Sequence, residues 1–91
     1  TEDRPTTDGV IALANLDAQI DGLAAVAAAT SAPVEVTARL IELLETRGRF
    51  RGRISDYEWA HALAEAAVRR FPENPVSHLA RARTLALLHR F

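Results

Sequence analysis

The sequence predicts an all-α protein, and three observations support that prediction. Hydrophobic residues make up 48% of the 91-residue chain although aromatic residues make up only 5%, so alanine supplies much of the apolar content. Alanine has the highest helix propensity of any residue. Apolar residues recur at spacings of three and four, whereas sustained alternating runs of Val, Ile and Thr, which are typical of strands, are absent.

Charge and cysteine content narrow the range of functions. The 11 basic residues, all arginine, and the 12 acidic residues give a net charge of −1, which favours neither nucleic acid nor an anionic membrane. Without cysteine the chain can form neither disulfides nor a thiolate metal site. The apolar stretch 23–29 is too short to span a membrane, and Asp17 and Asp21 precede it. We therefore expect a cytoplasmic protein that does not bind membranes and whose overall charge does not favour nucleic acid.

The beginning of the chain lacks the features of an intact translation product. The sequence starts at Thr1 and contains no methionine, so we expect a processed form or a fragment of a longer protein. Residues 1–8 are polar and include Pro5, which is typical of a flexible N-terminal lead-in. Residues 9–91 are then expected to form a single domain of four helices.

The first two helices are expected at about 9–28 and 33–47. One apolar stripe at helical spacing follows the first helix through Leu13, Leu16, Ile20, Leu23 and Ala27. Gly22 weakens this helix and suggests a close neighbour at that point. Pro33 suits the first turn of the second helix, and Gly48 is its expected end. Because the connection is short, the two helices should be antiparallel neighbours.

The last two helices are expected at about 55–70 and 75–90. Ser55 and Glu58 have the spacing of a capping box at the start of the third helix. Asn74 and Pro75 are an N-cap and a first-turn proline for the fourth helix. The inner face of the third helix is expected at Trp59, Ala60, Leu63, Ala64, Ala67 and Val68.

Residues 55–91 resemble a tetratricopeptide repeat (TPR) array. In that family a Gly-Asp-Tyr turn precedes the second helix of each repeat, and small residues lie twelve and five positions before a closing proline. In this sequence Asp56-Tyr57 corresponds to the turn, Ala60 and Ala67 to the small residues, and Pro72 to the closing proline.

The resemblance implies both a fold and a kind of function. It implies right-handed antiparallel helical hairpins, that is, a TPR-like α-solenoid fragment of four helices. TPR arrays act as scaffolds that bind partner proteins or peptides in a concave groove lined by the first helices of the repeats. His78 and Arg81 lie where the family prefers large apolar residues, which indicates a divergent repeat or one at the edge of an array.

If helices 2 and 4 are first helices of repeats, they line a groove for a partner protein or peptide. The residues that the resemblance implies there are Glu35, Glu42, Glu45, Leu79, Arg83 and Leu87. Chaperone-binding members of the family clamp a C-terminal carboxylate with a Lys/Asn/Arg set, and the glutamates here do not match it. An ordinary solvated surface would show the same residues, so that alternative stays open.

The last helix carries more large apolar residues than one neighbouring helix can cover. Each such side chain that stays exposed forfeits roughly 1.5–3 kcal/mol. We therefore expect Leu85, Leu88 and Phe91 to pack on a second copy of the chain or on a following repeat. A stable, monodisperse monomer in light scattering would contradict this expectation.

Arginine occupies every second position of the segment 47–53, which we expect to be an irregular loop. Guanidinium groups there could bind a phosphate or a carboxylate-rich peptide. Acidic residues close in sequence, among them Asp56 and Glu58, could neutralise them instead, with Phe50 and Ile54 anchoring the loop inward. Anion binding and structural ion pairing both remain open.

Nothing in the sequence indicates catalysis. The serines are suited to helix caps and first turns, none has a histidine at a catalytic spacing, and no glycine-rich phosphate loop occurs. His61 and Glu65 share a helix face at the spacing of two metal ligands, but a third ligand is missing and a surface pair explains them more simply. We expect no enzyme activity, cofactor or metal.

Three hypotheses about function follow. The first is a protein–protein interaction or scaffolding module from a longer TPR-like protein. The second is an accessory helical domain of a larger enzyme, which contributes oligomerisation or docking while the chemistry lies elsewhere. Phosphate or nucleic-acid binding by the segment 47–53 is a third, and it requires salt-sensitive binding.

Overall fold

The structure is a computed structural model that describes residues 7–90. Within that range it contains no strand and four helices, α1 (Thr7–Ala27), α2 (Val34–Arg51), α3 (Ile54–Arg70) and α4 (Pro75–Leu88). The all-α prediction is confirmed. Phe91 and most of the expected lead-in 1–8 lie outside the described residues, although positions 7 and 8 already belong to α1.

α2 is the central element of the fold. It packs against α1, α3 and α4, and α4 also packs against α3. The core combines Leu40 and Leu44 of α2 with Ile20 of α1 and with Ala60 and Ala64 of α3. The alanines of α3 let its backbone approach α2 closely, so that the leucines of α2 are almost fully enclosed.

The end of α2 differs from the prediction, and Gly48 explains the difference. The sequence predicts that Gly48 ends the helix, but α2 continues to Arg51 and ends at Gly52, whose φ is 65°. Gly48 is buried, and a Cβ atom at this position would lie 2.5 Å from Cε1 of Tyr57. Gly48 therefore serves close packing of α2 on α3, while Gly52 adopts the left-handed conformation that stops the helix.

The sequence predicts two helix starts from capping residues, and the structure confirms one of the two caps. Asn74 is confirmed as the N-cap of α4, because its Oδ1 accepts a hydrogen bond of 2.9 Å from the backbone N–H of Val76. The capping box of Ser55 and Glu58 is wrong: α3 starts at Ile54, and no side chain caps it. A different interaction, described below, uses the first turn of α3.

α1 is the least covered helix. Val10, Ile11 and Val26 are each more than half exposed. A Cβ atom at Gly22 would meet nothing within 4 Å, so the close neighbour predicted for Gly22 is not present among residues 7–90. Between Gly9 and Ala27 the helix is long and apolar enough to cross a membrane, contrary to the prediction made from residues 23–29 alone. Helices of soluble proteins and signal sequences can have the same length and composition.

Candidate functional site

A groove between α2 and α4 brings together most of the predicted partner-binding residues. Glu42 and Glu45 line it from α2, and Leu79, Arg83 and Leu87 line it from α4. Small and apolar residues such as Ala38 and Ala80 form its floor and walls, which lets the two helices approach each other. The predicted Glu35 does not line this groove and lies exposed in the first turn of α2. We call this feature the α2–α4 groove.

Glu45 is the buried charged residue of the α2–α4 groove. Its side chain is 3% exposed, and its Oε1 accepts a hydrogen bond of 2.7 Å from Nη2 of Arg83. Its Oε2 has no hydrogen-bond partner within the part of the chain that the structure describes. Burial raises the pKa of Glu45, and the nearby charges of Arg83 and Arg49 offset only part of that effect. A buried acceptor without a donor costs about 1–3 kcal/mol.

Leu79 supplies an apolar contact point in the same groove. It is 62% exposed, the most exposed of the large hydrophobic residues described. Leu85 and Leu88, predicted to mediate self-association, are only partly covered within the chain. Phe91, the third residue of that prediction, lies outside the described residues, so packing on a second copy stays a prediction.

The arginine-rich segment 47–53 is helical over most of its length and joins α2 to α3, which corrects the predicted irregular loop. Phe50 and Ile54 do not anchor it inward, because both side chains are exposed. Arg49 and Arg53 are exposed as well. Of the two alternatives, the structure gives direct contacts for ion pairing at Arg47 and Arg51.

Arg47 is the centre of an ion-pair network that links three helices. Its Nε and Nη2 donate to the two carboxylate oxygens of Asp56 at 3.1 and 2.8 Å, and its Nη1 donates to Asp17 at 2.9 Å. Arg51 also donates to Asp17, at 3.0 Å. The hydrogen bond to Asp56 is the main reason that the pKa of Arg47 is raised. The sequence suggested Asp56 as a partner but not Asp17, which lies on another helix.

A second polar cluster ties α3 to α4. Nδ1 of His61 lies 3.0 Å from Oγ1 of Thr84, and Nε2 of His61 lies 3.2 Å from Oε2 of Glu65. Arg81 donates to the same Glu65 oxygen at 3.1 Å. Thr84 is fully buried, so its hydroxyl cannot meet a substrate despite the histidine beside it. The cluster therefore joins the two helices, and sequence reasoning missed its α4 members.

Metal binding has no further support in residues 7–90. No group of three His, Cys, Asp or Glu side chains in that range is placed to hold a metal ion. His61 and Glu65 are near each other as predicted, but the groups that join them are Thr84 and Arg81. A threonine hydroxyl and a guanidinium do not complete a metal site of the usual kind.

Comparisons of the chain with protein-family models, with curated proteins and with solved structures find no match in any of the three. The resemblance of residues 55–91 to a TPR array therefore depends on its own motif residues alone.

Proposed function

We propose that this chain is a protein–protein interaction module that binds a segment of a partner protein in the α2–α4 groove. The observation that carries the proposal is the presence of an exposed Leu79 and an incompletely bonded Glu45 in one groove. Protein–protein interfaces combine a buried apolar centre with polar groups that form hydrogen bonds across the contact, and this groove offers both kinds of group.

The apolar part of the groove supplies the driving force. A partner side chain that covers Leu79 would remove much of its exposed surface from water, at roughly 25 cal/mol per Å². Val76 and Leu87, each partly covered, border the same groove and extend the contact along α4. A partner with two or three apolar side chains at helical spacing fits such a surface.

The polar part of the groove supplies selectivity. A donor from the partner, either a backbone N–H or a cationic side chain, satisfies the second oxygen of Glu45. The Arg83 side chain is half exposed, so it can rotate outward and open a path to this carboxylate. A partner that offers only apolar groups there leaves the buried oxygen without a donor, and it is disfavoured for that reason.

We also propose a TPR-like arrangement of antiparallel hairpins, which three contacts support. Arg47 near the end of α2 pairs with Asp17 in the middle of α1. Gly48 near the end of α2 packs on Tyr57 at the start of α3, and His61 early in α3 meets Thr84 late in α4. Consecutive helices in antiparallel order produce contacts of this kind.

The order of contacts between α2 and α4 is different. Glu45 meets Arg83, and four residues further along each helix Arg49 and Leu87 border the same pocket. The two helices thus follow the same direction, as the first helices of successive repeats do in a solenoid. A groove between two such helices is where the family resemblance implies that a partner binds.

The exposed apolar side chains of α1 favour a second candidate function, an accessory domain that packs against a larger enzyme or another copy. Val10, Ile11 and Val26 leave three large apolar side chains uncovered on this helix. Another domain that covered some of these side chains would remove apolar surface from water and so stabilise the chain. This role and the α2–α4 groove use different faces of the chain.

Affinity capture from an extract of the source cells tests the proposed function. The bait is the immobilised chain, and the variants are L79E, in the α2–α4 groove, and A62E, on the exposed surface of α3. Both variants add the same charge, and circular dichroism checks that each stays helical. We expect the wild type and A62E to retain at least one protein that L79E does not retain. Equal retention by all three would contradict the proposal.

A further inference from the structure

A wedge-shaped pocket separates α1 from α3. Both helices pack on α2, but no Cα atoms of α1 and α3 lie within 8 Å of each other across the described residues. The space between them has a volume of about 220 Å³ and is open to solvent on one side. We call this space the α1–α3 pocket. It lies apart from the α2–α4 groove and shares no lining residue with it.

Alanine is the reason that the pocket exists. Ala24 and Ala27 of α1 face Ala66 and Ala67 of α3 across the wedge, with Leu63 also on the α3 side. Side chains with a single methyl group are too short to meet across it. The result is a concave apolar surface, which is the usual composition of a small-molecule site.

The α1–α3 pocket has few polar lining groups, and one of them is charged. Arg70 is its charged lining residue, and Thr37 contributes a hydroxyl. Arg70 stacks over Phe71 at 5.1 Å from the ring centroid and donates to the carbonyl of Ala29 at 3.4 Å, which is a long hydrogen bond. Within residues 7–90 no carboxylate forms an ion pair with Arg70, as is also true of several exposed arginines outside this pocket.

We propose that the α1–α3 pocket binds a small molecule with a compact apolar body and a single carboxylate. The apolar body fits between the alanine faces, and the carboxylate accepts hydrogen bonds from the guanidinium of Arg70. A guanidinium presents two parallel N–H groups that match one carboxylate. This inference is independent of the function proposed for the α2–α4 groove.

Size and charge select this ligand over larger ones. The volume is below the range of about 300–1,000 Å³ that is usual for drug-sized ligands, so a compact group fills it. One guanidinium balances one negative charge, whereas a phosphate usually needs several donors.

The fluorescence of Trp59 gives a direct test. Trp59 is the single tryptophan of the sequence, it lines the α1–α3 pocket, and it is 38% exposed. The probes are cyclohexylacetate and its neutral amide, cyclohexylacetamide, neither of which absorbs where tryptophan is excited. We expect a saturable change in Trp59 emission with the acid and an affinity at least about tenfold lower with the amide, because the charge-assisted hydrogen bond is lost.

Three variants localise the binding. R70Q should lower the affinity for cyclohexylacetate at least about tenfold, while R69Q, an exposed neighbour outside the lining, should leave it unchanged. A66L should abolish binding by filling the pocket, and it keeps the test valid if R70Q does not fold. Equal affinity for acid and amide, no saturable response to the acid, or full binding by R70Q would overturn the proposal. So would binding of a peptide that ends in Leu without binding of cyclohexylacetate.

Discussion

Gly48 of α2 packs directly against the ring of Tyr57 of α3, so the two helices approach closely at this point. A Cβ atom at Gly48 would lie 2.5 Å from Cε1 and 2.9 Å from Cδ1 of Tyr57. Tyr57 is 5% exposed, so its ring has little room to move away. A helix interior normally disfavours glycine, and this contact explains why α2 contains one there.

Gly48→Ala should therefore destabilise the chain, although alanine is the better helix former. We expect a loss of about 1–3 kcal/mol in the free energy of unfolding, because the added methyl group overpacks the α2–α3 contact. Gly22→Ala is the matched control, since a methyl group there meets nothing within 4 Å. Gly22→Ala should raise the free energy of unfolding by about 0.5–1 kcal/mol, because alanine has the higher helix propensity. Urea unfolding measures both, and a gain for both variants would disprove the close packing at Gly48.

Arg47→Gln should lower the free energy of unfolding by about 2–3 kcal/mol. This loss is smaller than the loss expected for a fully buried ion pair, because water reaches part of the network. The substitution leaves the Asp56 carboxylate, which is 8% exposed, without its two hydrogen bonds from Arg47. Arg39→Gln is the control, because the Arg39–Glu42 pair is exposed and should change stability by less than about 0.5 kcal/mol. Chemical denaturation at neutral pH measures both, and equal effects would contradict a structural role for Arg47.

Glu45 should make the chain less stable as the pH rises. Burial raises the pKa of Glu45 above 4.5, so the unfolded chain releases this proton at a lower pH than the folded chain does. The stability that Glu45 contributes is therefore present below the unfolded pKa, and it is lost as the pH rises through the folded pKa.

Glu45→Gln removes that pH dependence. The stability of E45Q relative to the wild type should increase between about pH 4 and about pH 7, as the wild-type carboxyl becomes charged. E58Q, at an exposed position on α3, is the control and should show a smaller change. Unfolding curves at the two pH values test this. If instead the wild type becomes more stable relative to E45Q as the pH rises, the attraction between Glu45 and Arg83 outweighs the effect of burial.

Ala66→Leu should stabilise the chain by about 1 kcal/mol, because the larger side chain fills the α1–α3 pocket and buries further CH₂ groups. Ala62→Leu is the control on the same helix. Ala62 is exposed outside that pocket, so this change should stay within about 0.5 kcal/mol. Thermal unfolding distinguishes the two, and a destabilised A66L would show that the wedge has no room for the added atoms.

Local signals predicted the helices well, and tertiary packing explains where they failed. The Asn74-Pro75 start of α4 depends on one residue and its near neighbours, so the sequence predicts it correctly. The role of Gly48 depends on a ring nine positions away on another helix. Read locally, a glycine near a helix end indicates a C-cap, and only the packing of α3 shows otherwise.

The same distinction applies to the candidate sites. Glu42, Glu45, Leu79, Arg83 and Leu87 line one groove, whereas the predicted Glu35 does not, and partner binding there stays a prediction. The Asp17–Arg47 pair joins residues 30 positions apart, which no local pattern indicates. The α1–α3 pocket arises because alanines leave space between helices, and a sequence shows which side chains are small but not which of them face each other.

Site-specific photo-crosslinking from the α2–α4 groove tests the central claim most directly. A benzophenone amino acid replaces Leu79 in one variant and Ala62, on the exposed surface of α3, in another. Both are irradiated in an extract of the source cells, and adducts are identified by mass spectrometry. If a partner binds in the α2–α4 groove, position 79 should give a discrete protein adduct. Position 62 should not give that adduct. No adduct from position 79, or the same adducts from both positions, would contradict the account.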